Sequence, residues 1–181
     1  MLININKLTD FSSDHGHLAE QDIMDVMCKF YKLQPGIVTK GYFSDYDFII
    51  NNKTFELKIS SKSTTNSVIE VCRADGRPSG LSATKADFHL FLNNAGNIGK
   101  LRIIRTSELK KHYKNWKNDL LETKTIGDKI GSRLAPLNFK EFNDIMILEM
   151  NYNMGLKQFD TNTAKTNSYA TRMIHNFLMV K

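Results

Sequence analysis

Apolar residues Leu18, Ala19, Ile23, Val26, Met27 and Phe30 recur at helical spacing through FSSDHGHLAEQDIMDVMCKFYKLQPG. Ser12, Ser13 and Asp14 are capping candidates ahead of this stripe and Pro35-Gly36 stops it, so the segment predicts an amphipathic helix. The period then shortens. GIVTKGYF, YDFIIN and TFELKIS are rich in β-branched and aromatic residues, with NNK as a turn between the last two, and predict a meander of strands. SVIEVCR predicts another strand, ADGRPSG a turn, SATKAD the start of a short helix, and FHLFLN a strand apolar on both faces. KLRIIRT is a further strand after the turn NNAGNIGK. The stretch from Ser107 to about Leu121 predicts a helix capped by Ser107, followed by a Gly-punctuated basic loop. FNDIMILEM is read as helical, and the polar QFDTNTAKTNSYATRM receives no assignment. This order predicts an α/β sandwich built on a mixed sheet.

Composition adds limits. The 181 residues, 41% of them hydrophobic, suffice for one compact core. Neither a membrane span nor a secretory leader is legible, so a cytoplasmic protein is expected, with Cys28 and Cys72 as reduced, buried thiols. Charge is unevenly spread. Residues 1–99 carry 10 Lys and Arg against 11 Asp and Glu, whereas residues 100–181 carry 15 against 8. The basic density peaks around KLRIIRTSELKKHYKNWKNDLL, where Tyr113 and Trp116 stand among lysines. Such a surface suits a polyanion, although a solvated helix face has the same composition.

The chemistry concentrates in SDYDFIINNKTFELKIS, residues 44–60. Side chains two apart on a strand share a face, so Glu56 projects with Lys58 and Asp45 with Asp47. A turn near Asn51 to Lys53 brings Asp47 opposite the Glu56 region. Two neighbouring carboxylates repel unless a cation lies between them, and Mg²⁺ prefers such oxygen ligands. Lys58 suits the attacking water and the scissile phosphate rather than the metal. The alternative is a same-face charge pair on a solvated strand. Glu70 is either a further ligand or an outward strand residue, and His17 with Glu20 has a spacing that suits a transition metal or a simple loop role.

Two sets of residues carry a resemblance. Tyr46-Asp47-Phe48 and Glu56-Leu57-Lys58 stand as the aspartate and the Glu-X-Lys of the PD-(D/E)XK nuclease superfamily, with Tyr46 where that family has Pro, and Glu20 stands where its helix often adds a Glu. Thr64, Asn66, Ile69, Glu70, Ser79, Gly80, Thr84, Ala86 and Asp87 resemble a pattern of small phage and bacterial members, with Thr65 replacing a Gly. The resemblance implies a restriction-endonuclease-like core over residues 1–106, with a central mixed β-sheet flanked by helices. Residues 107–181 are then expected to form a basic, mainly helical extension on the same domain. Glu20, Asp47, Glu56 and Lys58 would be catalytic. Asp47, Glu56, the Leu57 carbonyl and Glu20 would hold Mg²⁺, with Mn²⁺ substituting, and Asp45 is the alternative to Asp47. Lys62, Arg73, Arg77 and Lys85 are candidate contacts to DNA, or plain solubilising charges. The implied activity is a DNA endonuclease acting on double-stranded DNA in the cytoplasm of a bacterial or phage-infected cell, as a homodimer and at specific sequences, as restriction or homing enzymes do. A junction-selective resolvase is the alternative, and a DNA-binding module without turnover is the alternative of another class.

Overall fold

The computed structural model describes residues 2–4, 16–39, 45–60, 65–95, 98–113, 121–123, 131–153 and 158–166. Along the chain run β1 (Leu2–Asn4), α1 (Gly16–Tyr31), β2 (Ile37–Val38), β3 (Phe48–Ile50), β4 (Lys53–Ser60) and β5 (Asn66–Arg73). They are followed by α2 (Gly80–Ala83), β6 (Phe88–Ala95), β7 (Ile98–Arg105), α3 (Thr106–Tyr113), β8 (Leu121–Thr123) and β9 (Ser132–Asn138). A 3-10 turn (Phe139–Phe142) then leads to β10 (Met146–Asn153) and β11 (Gln158–Thr166). Among the described residues eight strands form a mixed sheet in the order β1-β11-β10-β7-β6-β4-β3-β2, and β5, β9 and β8 form a second sheet. β4 and β6 pair in parallel; the other pairings in the large sheet are antiparallel.

The two faces of the large sheet are both buried, which is why β6 is apolar on both sides. On one face, Ile23, Met24, Val26 and Met27 of α1 pack on Phe48, Phe55, Leu57, Leu90 and Leu92. The rings of Phe48, Phe55 and Phe88 stack across three adjacent strands with centroids 5.2 Å apart at each step. On the other face, Phe91 and Ile104 meet Ile69 and Val71 of β5, Ala135 and Leu137 of β9, and Phe139 and Phe142. Helix, large sheet and small sheet therefore form successive layers. Gly36 lets the chain leaving α1 pass over β3, because a Cβ there would lie 2.1 Å from the Ile49 carbonyl oxygen.

The expected helical character of the C-terminal part is corrected. Among the described residues beyond 106, α3 and the 3-10 turn are helical and the rest is mainly strand. FNDIMILEM supplies most of β10, which lies between β7 and β11. A short apolar run fits either period locally, and the backbone partners on both sides select the strand. The segment without an assignment contributes β11. SVIEVCR is a strand as expected, but it leaves the meander for the second sheet and crosses over the large one. No helix among the described residues is long and apolar enough to cross a membrane.

Candidate active site on the β3–β4 hairpin

The hairpin turns at Asn51 and Asn52, whose φ values of 49° and 61° suit a tight type I′ connection, a conformation that Asn tolerates well. Its register pairs Phe48 with Phe55 and Ile50 with Lys53. One step further, the Asp47 N–H donates to the Phe55 carbonyl at 2.8 Å, which sets Asp47 beside Glu56. Phe48 and Phe55 turn toward α1, so the alternation of the pleat sends Asp47, Glu56 and Lys58 to the opposite face. Thr39 clamps the start of β3, donating its N–H and its hydroxyl to the Asp47 carbonyl at 2.8 and 2.7 Å.

The three side chains are half-buried and held. The Leu57 N–H donates to Asp47 Oδ2 at 2.6 Å, and Lys58 Nζ donates to Glu56 Oε1 at 2.5 Å. Burial and the Glu56 carboxylate push the Asp47 pKa up to about 7, against the opposing Leu57 N–H and Lys58 ammonium; Glu20 adds to the rise. Burial alone would lower the Lys58 pKa, but the Glu56, Asp47 and Glu70 carboxylates outweigh it and raise it. Charges from α1 and β5 are thus felt at the hairpin.

The neighbouring strand completes the floor. Parallel pairing sets His89 beside Glu56 and Phe91 beside Lys58. His89 is buried and its Nδ1 lies 2.9 Å from the Thr106 hydroxyl. Burial, with Lys58 and Lys110 nearby, pushes the His89 pKa down to about 3. An unfolded His takes up its proton near pH 6.5. The stability that neutral His89 contributes is therefore complete above about pH 6.5 and is lost as the pH falls toward 3. His89→Gln should remove that rise, leaving a melting temperature that falls between about pH 4 and 7 as Asp47 ionises, and a pH profile matching wild type would assign acid unfolding to other groups.

From the second sheet comes Glu70, whose Oε1 accepts a 2.5 Å bond from the Ser79 hydroxyl. Gly80 allows that closure: its φ is +47°, and a Cβ would lie 2.2 Å from the Glu70 carbonyl oxygen. The turn Ser79-Gly80 is thereby folded directly against β5.

Of the residues singled out in the sequence, Asp47, Glu56 and Lys58 share one face, and the charges of Glu20 and Glu70 reach them. Asp45 does not join them; it takes Lys85 Nζ at 2.6 Å on the surface. Arg77 pairs with Asp75 at 2.8 Å, and Arg73 lies 4.0 Å from the same carboxylate. Lys62 lies outside the described residues, as do Trp116 and the side chains of His17 and Tyr113. Part of the basic excess is internal, since Lys100 and Arg102 pair with Glu149 at 2.9 and 2.7 Å and Arg102 lies over the Phe139 ring at 4.3 Å. The sequence reading missed His89, and it named Arg105 and Lys110 only as part of the basic stretch. His89 in an otherwise apolar strand was the available signal.

Among the described residues no group of three His, Cys, Asp or Glu side chains stands ready to hold a metal ion. No protein-family model, curated protein or solved structure matches the chain.

Proposed function

We propose that the chain is a divalent-metal-dependent nuclease that hydrolyses phosphodiester bonds in double-stranded DNA. The observation that carries this reading is the single hairpin face shared by Asp47, Glu56 and Lys58, with the charge of Glu20 felt at Asp47. The donor set suits Mg²⁺. Burial and the neighbouring Glu56 carboxylate push the Asp47 pKa up to about 7, and a hard cation would remove that penalty. Asp47, Glu56 and the Leu57 carbonyl would hold it, with Glu20 as a further ligand or the anchor of a bound water. When bound, the ion supplies Lewis-acid stabilisation of the charge that develops on the phosphate.

The remaining work falls to Lys58. Its raised pKa keeps it an ammonium at neutral pH, so it does not accept the proton of the attacking water. As a fixed cation it orients that water and lowers its pKa, and the released proton passes to solvent. The new bond forms between the water oxygen and phosphorus, and the bond from phosphorus to the 3′ oxygen breaks in line. Hydrolysis leaves a 3′-hydroxyl and a 5′-phosphate. Recognition of a specific sequence, action as a homodimer and the use of Mn²⁺ in place of Mg²⁺ belong to the same proposal, with junction selectivity as the alternative mode of substrate choice.

Purified protein incubated with supercoiled plasmid in Mg²⁺, Mn²⁺ or EDTA, beside Lys58→Ala, tests it. Metal-dependent nicking or linearisation that the variant loses is expected. Discrete fragments would favour sequence recognition, and preference for a four-way junction would favour the resolvase. DNA binding with no cleavage of either substrate in any metal would replace the nuclease by a binding module.

A further inference from the structure

A cleft of about 370 Å³ opens between the ends of β6 and β7 and the start of α3. Its walls carry Lys85, Arg105 and Lys110, together with the first α3 residues Thr106 and Ser107. Asp87 is the one carboxylate among its lining residues, and it is engaged: its Oδ2 accepts the Thr54 N–H at 3.0 Å and the Thr54 hydroxyl at 3.1 Å. The volume falls in the range of small-ligand sites rather than of a single bound ion.

The cleft and the hairpin site share their backbone. Thr106 in the cleft wall is bonded to His89, and His89 is the register partner of Glu56 on the adjoining strand. β6 is the single strand between β7 and β4, so only buried His89 separates the Thr106 wall from Glu56. On the other side, the Lys85 N–H and the Thr84 hydroxyl both donate to the Asp45 carbonyl, at 3.2 and 3.1 Å, two residues before Asp47. A polymer bound at the hairpin would therefore have its next unit at the cleft.

The cations can serve such a unit. Lys85 is paired with Asp45, but its side chain is 73% exposed, and an exposed pair is heavily screened and readily exchanged. Lys110 donates one N–H to the Thr84 carbonyl at 3.0 Å, which leaves two donors on its ammonium. The Arg105 guanidinium lies 5.9 Å from the Phe88 ring centroid and so is anchored beside the cleft floor. Glu108, the acidic residue of the first α3 turn, is paired with Lys111 at 2.7 Å. The positive end of α3 adds to the same field.

We propose that this cleft is a subsite for the backbone phosphate next to the scissile one, with Arg105 and Lys110 as its principal contacts and Lys85 at its mouth. The proposal rests on the nuclease reading and extends it to the path of the bound strand. Such contacts fix register without reading bases, so they act on all sequences alike.

The test measures binding of a labelled duplex by fluorescence anisotropy, with Ca²⁺ replacing Mg²⁺ to prevent turnover, over a range of salt concentrations. Wild type is compared with Lys85→Ala, Lys110→Ala and Arg105→Gln, each checked by thermal melting. Each lost phosphate contact should lower the slope of log K against log salt by about 0.9, which is about fivefold in affinity at roughly 0.15 M salt. Variants that melt like wild type yet keep its affinity and slope overturn the subsite. Should Arg105→Gln fail to fold, the two lysine variants decide. Wild type that binds the duplex in Ca²⁺ and cuts plasmid in Mg²⁺, with the variants matching it in both, sinks the subsite alone; wild type that binds no duplex sinks the nuclease reading with it. Inorganic phosphate that raises the wild-type melting temperature, with every variant retaining the wild-type salt slope, would make the cleft a free-anion site and likewise overturn the proposal.

Discussion

Asp47→Asn should reduce metal-dependent plasmid cleavage by roughly 10²- to 10³-fold, the range for loss of one group that stabilises developing charge, while making the metal-free protein more stable at pH 8. The two effects have one cause. Burial and Glu56 push the Asp47 pKa up to about 7, so the folded chain keeps a proton that the unfolded chain releases near pH 4. That contribution to stability is fully present below about pH 4 and is lost as the pH rises through 7. At pH 8 the ionised carboxylate costs the metal-free fold about 2 to 4 kcal/mol, the lower figure allowing for solvent screening.

His89 titrates with the opposite sign, so the two slopes cancel between about pH 4 and 6.5 and wild type should show a plateau there. Asp47→Asn removes the cancellation, and its melting temperature should climb with pH to about 6.5 and then level off. Mg²⁺ at pH 8 should raise the melting temperature of wild type and leave that of the variant unchanged, because only a species that binds the folded state stabilises it. Equal Mg²⁺ shifts for the two proteins would remove Asp47 from the metal site. A variant that still cuts plasmid at the wild-type rate would sink its catalytic role.

Phe91→Ala should destabilise the fold by about 3 to 5 kcal/mol, the range for deleting a large ring from a closed core. Phe91 is 0% exposed on the face of β6 that meets the second sheet. Its ring lies 5.2 Å from that of Phe139, edge on, and stacks 6.0 Å from His89. Its register partners are Lys58 on one side and Arg102 on the other. Truncation would open a cavity between the sheets directly behind Lys58, and both sheets would have to move to close it. Urea denaturation should show a lower midpoint with an unchanged slope, and Phe91→Leu should recover most of the loss. A loss below about 1 kcal/mol would mean that the two sheets do not share a tightly packed core.

Much of the site was legible along the chain. Strand alternation is a local property, so Glu56 and Lys58 could be put on one face before any partner strand was known. The Asn-Asn turn marked the hairpin, and the 3.6-residue stripe marked α1 with Glu20 at its border. Where the local pattern was ambiguous, the reading failed. FNDIMILEM has no alternation in its apolar stretch, and only the open edges of β7 and β11 decided that it is a strand. SVIEVCR was rightly a strand, yet nothing in it names the sheet it joins.

The sequence by itself determined the period of each segment, the hairpin and the charges that its face carries, because these depend on residues a few positions apart. Tertiary structure alone decided the parallel pairing of β4 with β6, the second sheet that brings Glu70 toward Lys58, and the gathering of Lys85, Arg105 and Lys110 around one cleft. Those contacts join residues tens of positions apart. Their loop-closure cost is met by burial on both faces of the large sheet, a balance set by the whole fold and by no single segment.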